Sequence, residues 1–189
     1  WLKGLTNGTL RAAFGLTEPD AGSDAAAIRT RAERVPGGWK INGRKHWISG
    51  GHAADVVMVM AVTDPEKRAR GGIGAFLVER GTPGFEVTRV DTTIGAEAIK
   101  LGELTFTDCV VPEEALLGGP GDGFGIAMES LTNGRLGVSA ACIGAADRLL
   151  AMAVEHAKQR RTFGKPLAER QAIQWMLADS ATEIEVARA

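Results

Sequence analysis

Leu16-Thr17-Glu18-Pro19-Asp20-Ala21-Gly22-Ser23-Asp24 follows a short apolar run, Leu10 to Leu16, that reads as a strand, and it breaks that run with loop chemistry. Pro19 fixes its own φ, withholds one amide donor and pushes Glu18 toward extended backbone. Gly22 permits positive φ or a close backbone approach. Thr17, Ser23 and Asp24 bring short polar side chains beside free amides. Turn chemistry accounts for most such loops. The same features also suit a loop that holds a polar ligand against the end of a sheet.

Outward from that loop, strands dominate. Ile28 to Val35 partly alternates and predicts a half-buried strand, closed by Pro36-Gly37-Gly38. Asn42-Gly43 lies between Trp39-Lys40-Ile41 and Arg44 to Ile48, the pattern of a hairpin with a type I′ turn. Asp55 to Thr63 is almost continuously apolar, as in a strand buried on both faces. Ile73 to Glu79, Phe85 to Val90 and Leu101 to Thr107 complete the set, and the charged stretch Asp64 to Gly72 reads as a surface loop. Many short strands with Gly/Pro turns predict a barrel or sandwich. The expected all-β domain covers residues 10–117, after a tail of a preceding element at residues 1–9.

The period then changes. Gly118 to Gly123 reads as a glycine-rich hinge, followed by a helical pattern from Phe124 to Gln159 with Ile143, Ala146, Leu149, Leu150, Ala153 and Val154 at helical spacing. After Gly164-Lys165-Pro166 a second helix starts near Glu169, with Ile173, Met176, Leu177, Ala181 and Ile184 on one face. A short connector predicts antiparallel packing. The expected class is therefore α+β: an antiparallel β-barrel or sandwich domain, then residues 118–189 as part of an antiparallel helical bundle. The glycines of residues 118–125 fit no Gly-x-Gly-x-x-Gly register and follow no βα alternation, so they read as a flexible helix entry rather than a dinucleotide loop.

The bulk properties exclude several classes. The 189 residues carry 44% hydrophobic and 24% charged side chains, a globular composition. A net charge of −1, without a basic aromatic face, argues against nucleic-acid binding, including by a β-barrel oligonucleotide binder. No apolar run approaches the roughly 20 residues of a membrane span, so no membrane insertion is expected. Cys109 and Cys142 have no metal-ligand spacing and read as buried thiols of a reducing compartment. His46, His52 and His156 make no triad. The chain starts at Trp1 and stops at Ala189 within a helical pattern, so a segment of a longer protein is expected.

The opening stretch resembles the Thr-Glu-Pro-x-Ala-Gly-Ser-Asp signature of the acyl-CoA dehydrogenase family. Trp47-Ile48-Ser49 lies where that family has its second flavin segment, and Arg161-Thr162-Phe163-Gly164 resembles a turn of its helical domain. The resemblance runs from about Thr9 to the end of the chain and implies FAD as cofactor. By it, Phe14, Leu16 and Thr17 contact the flavin, Trp47 packs beside its ring and Ser49 bonds to it. Arg160, Arg161, Thr162, Phe163 and Gln171 reach the FAD of a neighbouring subunit, which implies a homodimer or homotetramer. Ser23 and Arg135 fall at substrate-side positions. Taken alone, Trp47 is a core or sheet-cover residue, Arg135 a solvated helix arginine, and Arg160, Arg161 and Thr162 a helix C-terminus whose cations complement its dipole.

The resemblance further implies an oxidoreductase of fatty acid metabolism. Its reaction is α,β-dehydrogenation of an acyl-CoA to the trans-2-enoyl-CoA, with electrons passed to an electron-transfer flavoprotein. The expected setting is the cytoplasm, or the mitochondrial matrix in a eukaryote. A carboxylate of raised pKa takes the α proton. One of the two positions family members use for it is Gly134 here, so no catalytic residue is visible and the base glutamate is expected beyond Ala189. Residues 96–103 depart from the Arg and Ser/Thr pattern of many members, which leaves the chain-length subtype open. Within the same fold, a flavin oxidase or monooxygenase is the nearest alternative. A non-catalytic binding module is another.

Overall fold

The computed structural model describes residues 1–95 and 97–189. Ala96, the first residue of the departing segment, lies outside the described residues. Two compact units divide the chain, Trp1–Glu129 and Ser130–Ala189.

The first unit opens with a five-residue helix, α1 (Leu2–Thr6), and then builds one eight-stranded sheet. Its strands are β1 (Ala12–Gly15), β2 (Arg31–Val35), β3 (Gly38–Ser49), β4 (Val56–Val62), β5 (Ile73–Glu79), β6 (Phe85–Asp91), β7 (Leu101–Pro112) and β8 (Leu116–Leu117). The order is β6-β7-β3-β2-β4-β5-β8, and β1 pairs with β4 off that path. The α+β expectation holds in its outline, a sheet domain followed by helices, with two particulars added. The sheet is mixed, because β1 and β2 both run parallel to β4, and it does not close. Strand β1 can lie parallel to β4 because the loop after it and the β2–β3 hairpin bring the chain back between them.

The hairpin turn falls elsewhere than Asn42-Gly43. Strand β3 runs straight through that pair, and the turn is Pro36-Gly37, with Val35 opposite Gly38 and Gly37 at φ +81°. Proline presets the φ of the position before a glycine that can turn left-handed. At Asn42-Gly43 the register against β7 shifts, which marks a bulge. The Asn42 side chain is engaged there with Asp108, accepting its amide at 2.7 Å. A Cβ on Gly43 would stand 2.5 Å from Thr30 Oγ1, so glycine is required at this site for closeness rather than for a turn.

Alternation along β3, β5 and β7 sends Trp39, Ile41, Ile48, Phe76, Val78, Leu104, Phe106, Cys109 and Val111 into one core. Trp39 meets Phe76 edge-on at 5.4 Å, and Phe85 stacks on Phe106 at 5.0 Å. Burying each such side chain contributes roughly 1.5–3 kcal/mol. Burial also pushes the Cys109 thiol up to about 11. Cys142, expected to be buried, is exposed: it sits on the long helix of the second unit, where few side chains are covered.

The expected flexible glycine hinge is closely packed. Cβ atoms on Gly121 and Gly123 would stand 2.5 Å from the Gly71 carbonyl oxygen and 2.4 Å from the Gly74 carbonyl carbon. Asp122 Oδ2 accepts the Gly119 amide at 2.7 Å. Glycines here let the start of helix α2 (Gly123–Gln159) lie against β5.

Within Ser130–Ala189, the rest of α2 is joined to α3 (Gln171–Arg188) by a connector holding a minimal hairpin, β9 (Arg161–Thr162) and β10 (Lys165–Pro166). Ile143, Ala146, Leu150, Leu177, Ile184 and Ala187 line a groove of about 520 Å³ between the two helices. Arg188 donates to Asp147 at 2.6 Å across it. Against the expectation of no span-length apolar run, α2 is long and apolar enough to cross a bilayer by length and composition. Alanines and leucines spread along it raise its mean hydropathy, while Ser139, Asp147 and Arg148 interrupt them, so no unbroken apolar run forms.

Candidate active site

Thr17 leaves β1 and its carbonyl accepts the His46 amide at 2.8 Å. That bond brings the first sequence motif alongside the second. Directly beneath, Lys45 has no exposed side-chain surface and donates to the Leu16 carbonyl at 3.0 Å and to Glu18 Oε1 at 2.8 Å. Glu18 also accepts the amides of Arg29 at 2.6 Å and Thr30 at 3.0 Å. The loop is therefore held by a buried ion pair whose partners are 27 residues apart, and sequence reasoning missed it. The Glu in Thr-Glu-Pro and the isolated Lys between polar neighbours were the only signals, and neither announces burial.

The electrostatics follow from that packing. Burial would raise the Glu18 carboxyl, but the Lys45 cation and the bonds it accepts outweigh this and hold it below 4.5. Burial pushes the Lys45 ammonium down to about 8, against the pull of Glu18.

Trp47 takes a left-handed backbone, φ +56°. The cause is a second bulge: Lys45 pairs with Leu104 and Ile48 with Gly102, so His46 and Trp47 together face one residue of β7. The bulge leaves the indole 61% exposed, while Ile48 stays in the core. A non-glycine residue at positive φ costs about 1–2 kcal/mol and persists only where its surroundings impose it. Ser49, two residues on, is exposed in the same strand. Leu16 is buried, and Phe14 and Thr17 are half-buried. An exposed flat ring beside a hydroxyl and a fixed loop fits a planar aromatic ligand such as a flavin. Ser23 is exposed in the same loop.

The remaining candidates lie in the second unit. Arg135 is an exposed residue of α2. Arg160, Arg161, Thr162 and Phe163 form the connector, and Gln171 begins α3. Phe163 and Gly164 both take positive φ, +48° and +77°, and Phe163 is 98% exposed at the hairpin tip. Arg170, which the sequence did not single out, holds this turn: it donates to the Thr162 carbonyl at 2.7 Å and its guanidinium lies 5.8 Å from the Phe163 ring. Among the described residues there is no cluster able to hold a metal ion.

Residues 13–109 match the model of the acyl-CoA dehydrogenase middle domain, and residues 121–189 match that of the acyl-CoA dehydrogenase C-terminal domain. The acryloyl-CoA reductase (NADH) of Anaerotignum propionicum is 44% identical over all of this chain and 48% of its own length. The three-dimensional structure of butyryl-CoA dehydrogenase from Megasphaera elsdenii is similar with a TM-score of 0.95 at 46% identity, covering all of this chain and 49% of that one. PigA, solved with FAD and proline, has a TM-score of 0.95 at 34% identity over the same share. The chain thus spans about half the length of the relatives it matches.

Proposed function

We propose, from the premise that the chain belongs to the acyl-CoA dehydrogenase family, that the whole protein is an FAD-dependent acyl-CoA dehydrogenase. The reaction is α,β-dehydrogenation of an acyl-CoA thioester to the trans-2-enoyl-CoA, with electrons leaving to an electron-transfer flavoprotein. The observation that carries it is Trp47, an exposed indole held in a left-handed bulge beside the Thr17 loop. FAD, when bound, supplies the hydride acceptor for the β hydrogen.

The chain's own residues bind and orient. Trp47 walls one side of the ring, and Phe14 and Leu16 supply its apolar edge. Thr17 and Ser49 offer polar groups that fix its orientation. Arg160, Arg161, Thr162, Phe163 and Gln171 serve the FAD of a neighbouring subunit, so the working protein is a homodimer or homotetramer. Ser23 and Arg135 act on the acyl-CoA side, where a guanidinium suits phosphate and thioester oxygens. A Cβ on Gly134 would meet nothing within 4 Å, so that position has room for a carboxylate and carries none; the base lies beyond Ala189. The division we propose is a middle β domain to about residue 117 and the first two helices of a helical domain from residue 118. Helix α2 packs on protein helices rather than in a bilayer, in the cytoplasm or a mitochondrial matrix.

A second reading has its own observation. The likeness to an acryloyl-CoA reductase favours the same site run in the opposite direction, toward the saturated acyl-CoA. The test uses the full-length protein under anaerobic conditions with a panel of acyl-CoAs and enoyl-CoAs. Bleaching of the flavin spectrum by one class of saturated acyl-CoA is expected. Oxidation of chemically reduced flavin by enoyl-CoA, without bleaching by the saturated thioester, selects the reductase. Fast peroxide formation in air selects an oxidase or monooxygenase. A flavin that no thioester touches selects a non-catalytic module.

A further inference from the structure

Behind the exposed face of Trp47 lies a group of charged side chains that the proposed reaction does not use. The His46 ring stands 4.8 Å from the Trp47 ring, tilted by 36°. His46 Nε2 is also 2.6 Å from Arg89 Nη2 of β6. The same nitrogen is 3.5 Å from Asp91 Oδ2 of β6 and 3.8 Å from Glu103 Oε2 of β7. Arg89 is itself paired to Asp91 at 2.9 Å and to Glu103 at 3.4 Å. Arg44 of β3 reaches Glu103 Oε1 at 3.6 Å. The cluster thus holds two arginines and two carboxylates around one imidazole, and His46 is mostly covered.

A guanidinium has only donors. The short contact from Arg89 therefore requires His46 Nε2 to be the acceptor, which fixes a neutral imidazole carrying its hydrogen on Nδ1. Protonation puts a hydrogen on Nε2 and replaces that bond with a cation facing a cation. The two carboxylates at 3.5 and 3.8 Å are then the partners left to it, and reaching either one draws the ring away from Arg89. Its neighbour in the chain is the residue held at positive φ, so a turn of the imidazole acts on the indole it backs.

We infer that His46 is the positioning residue for Trp47: as the neutral imidazole bonded to Arg89 it backs the indole, and its protonation, which transfers Nε2 to Asp91 or Glu103, withdraws that support. The consequence for FAD rests on the reading of Trp47 as the flavin wall; the switch in the cluster does not.

The experiment measures FAD release from the full-length holoprotein across mildly acidic to neutral pH, in wild type, His46→Gln and Arg89→Met. Wild type is expected to release FAD roughly three- to tenfold faster on the acid side, the range set by losing one aromatic contact. His46→Gln, which keeps a hydrogen-bonding side chain without a titrating one, is expected to show no step. Arg89→Met removes the cation that opposes protonation, so its step is expected at higher pH, a displacement that a merely structural role for His46 does not produce. Arg89 is half exposed, so this variant leaves the core untouched. A step retained in His46→Gln, or one that Arg89→Met leaves in place or moves to lower pH, overturns the inference. If the protein holds no FAD, the flavin reading fails. The difference in tryptophan fluorescence between wild type and Trp47→Phe then carries the same titration, and a flat difference overturns the switch.

Discussion

The sheet unit and the helical unit use apolar residues differently. In Trp1–Glu129 the apolar alternation of β3, β5 and β7 is spent on one core, and a lysine is buried with its carboxylate. In Ser130–Ala189, Leu136, Met152, Trp175, Met176 and Val186 are exposed, and Leu149 is 64% exposed although it lines the groove between the helices. Leu149 and Met176 were expected on packed faces. A sheet that curls over itself buries its apolar face against its own non-adjacent strands, as Trp39 of β3 meets Phe76 of β5. A two-helix hairpin has one seam, here the groove around Ile143, Leu150, Leu177 and Ile184, and leaves the other helix faces uncovered. Apolar periodicity therefore reported actual burial in the first unit and only capacity for burial in the second.

The largest expected effect separates the two units directly. Phe76→Ala should cost about 3–5 kcal/mol in urea unfolding of this chain. Leu149→Ala should stay within about 0.5 kcal/mol. A Leu149→Ala cost near that of Phe76→Ala breaks the contrast, because it means the helix face is already covered.

Next in size is the buried pair. Lys45→Met should destabilise by about 3 kcal/mol, since it leaves the buried Glu18 carboxylate without its cation. Adding Glu18→Leu should restore most of that loss in the same denaturant midpoint. If the double variant is no better than Lys45→Met, the pair is a packing element rather than an electrostatic one.

The pH dependence follows with its sign. The folded pKa of Glu18 lies below its ordinary 4.5, so the native state binds fewer protons there than the unfolded chain. The stability Glu18 contributes is complete above about 4.5 and is lost as pH falls through its lowered folded value. Lys45 acts in another window. Its folded value of about 8 lies below 10.5, so stability rises with pH between the two. Acid melts of wild type against Glu18→Gln check the first; a profile unchanged by Glu18→Gln removes the assignment.

The smallest effect on stability tests the strained bulge. Trp47→Gly relieves a left-handed tryptophan and should leave thermal stability unchanged or raised by about 1 kcal/mol, while FAD retention in the full-length protein falls. Destabilisation with FAD retained would mark Trp47 as structural.

Legibility tracked locality. The strand runs were readable because alternation at period 2 is a property of neighbours in sequence, and the two long helices because of spacing at 3.6. Asn42-Gly43 misled because the same dipeptide serves a turn or a bulge. Strand β7 made the difference by engaging Asn42 through Asp108. Cys142 misled because burial of a helix residue depends on what lies beside the helix.

By itself, the sequence determined the sheet-then-helix order, the motifs that resemble a flavoprotein family, and the lack of a carboxylate at Gly134, all of which are written in consecutive residues. Only the tertiary structure decided that β1 lies parallel to β4, that Lys45 is buried against Glu18 and Leu16, and that a bulge turns Trp47 outward against His46. These depend on pairings between residues far apart in the chain, such as the 27 residues from Glu18 to Lys45. Burial, pKa and strain are set by such neighbours, which no local pattern specifies.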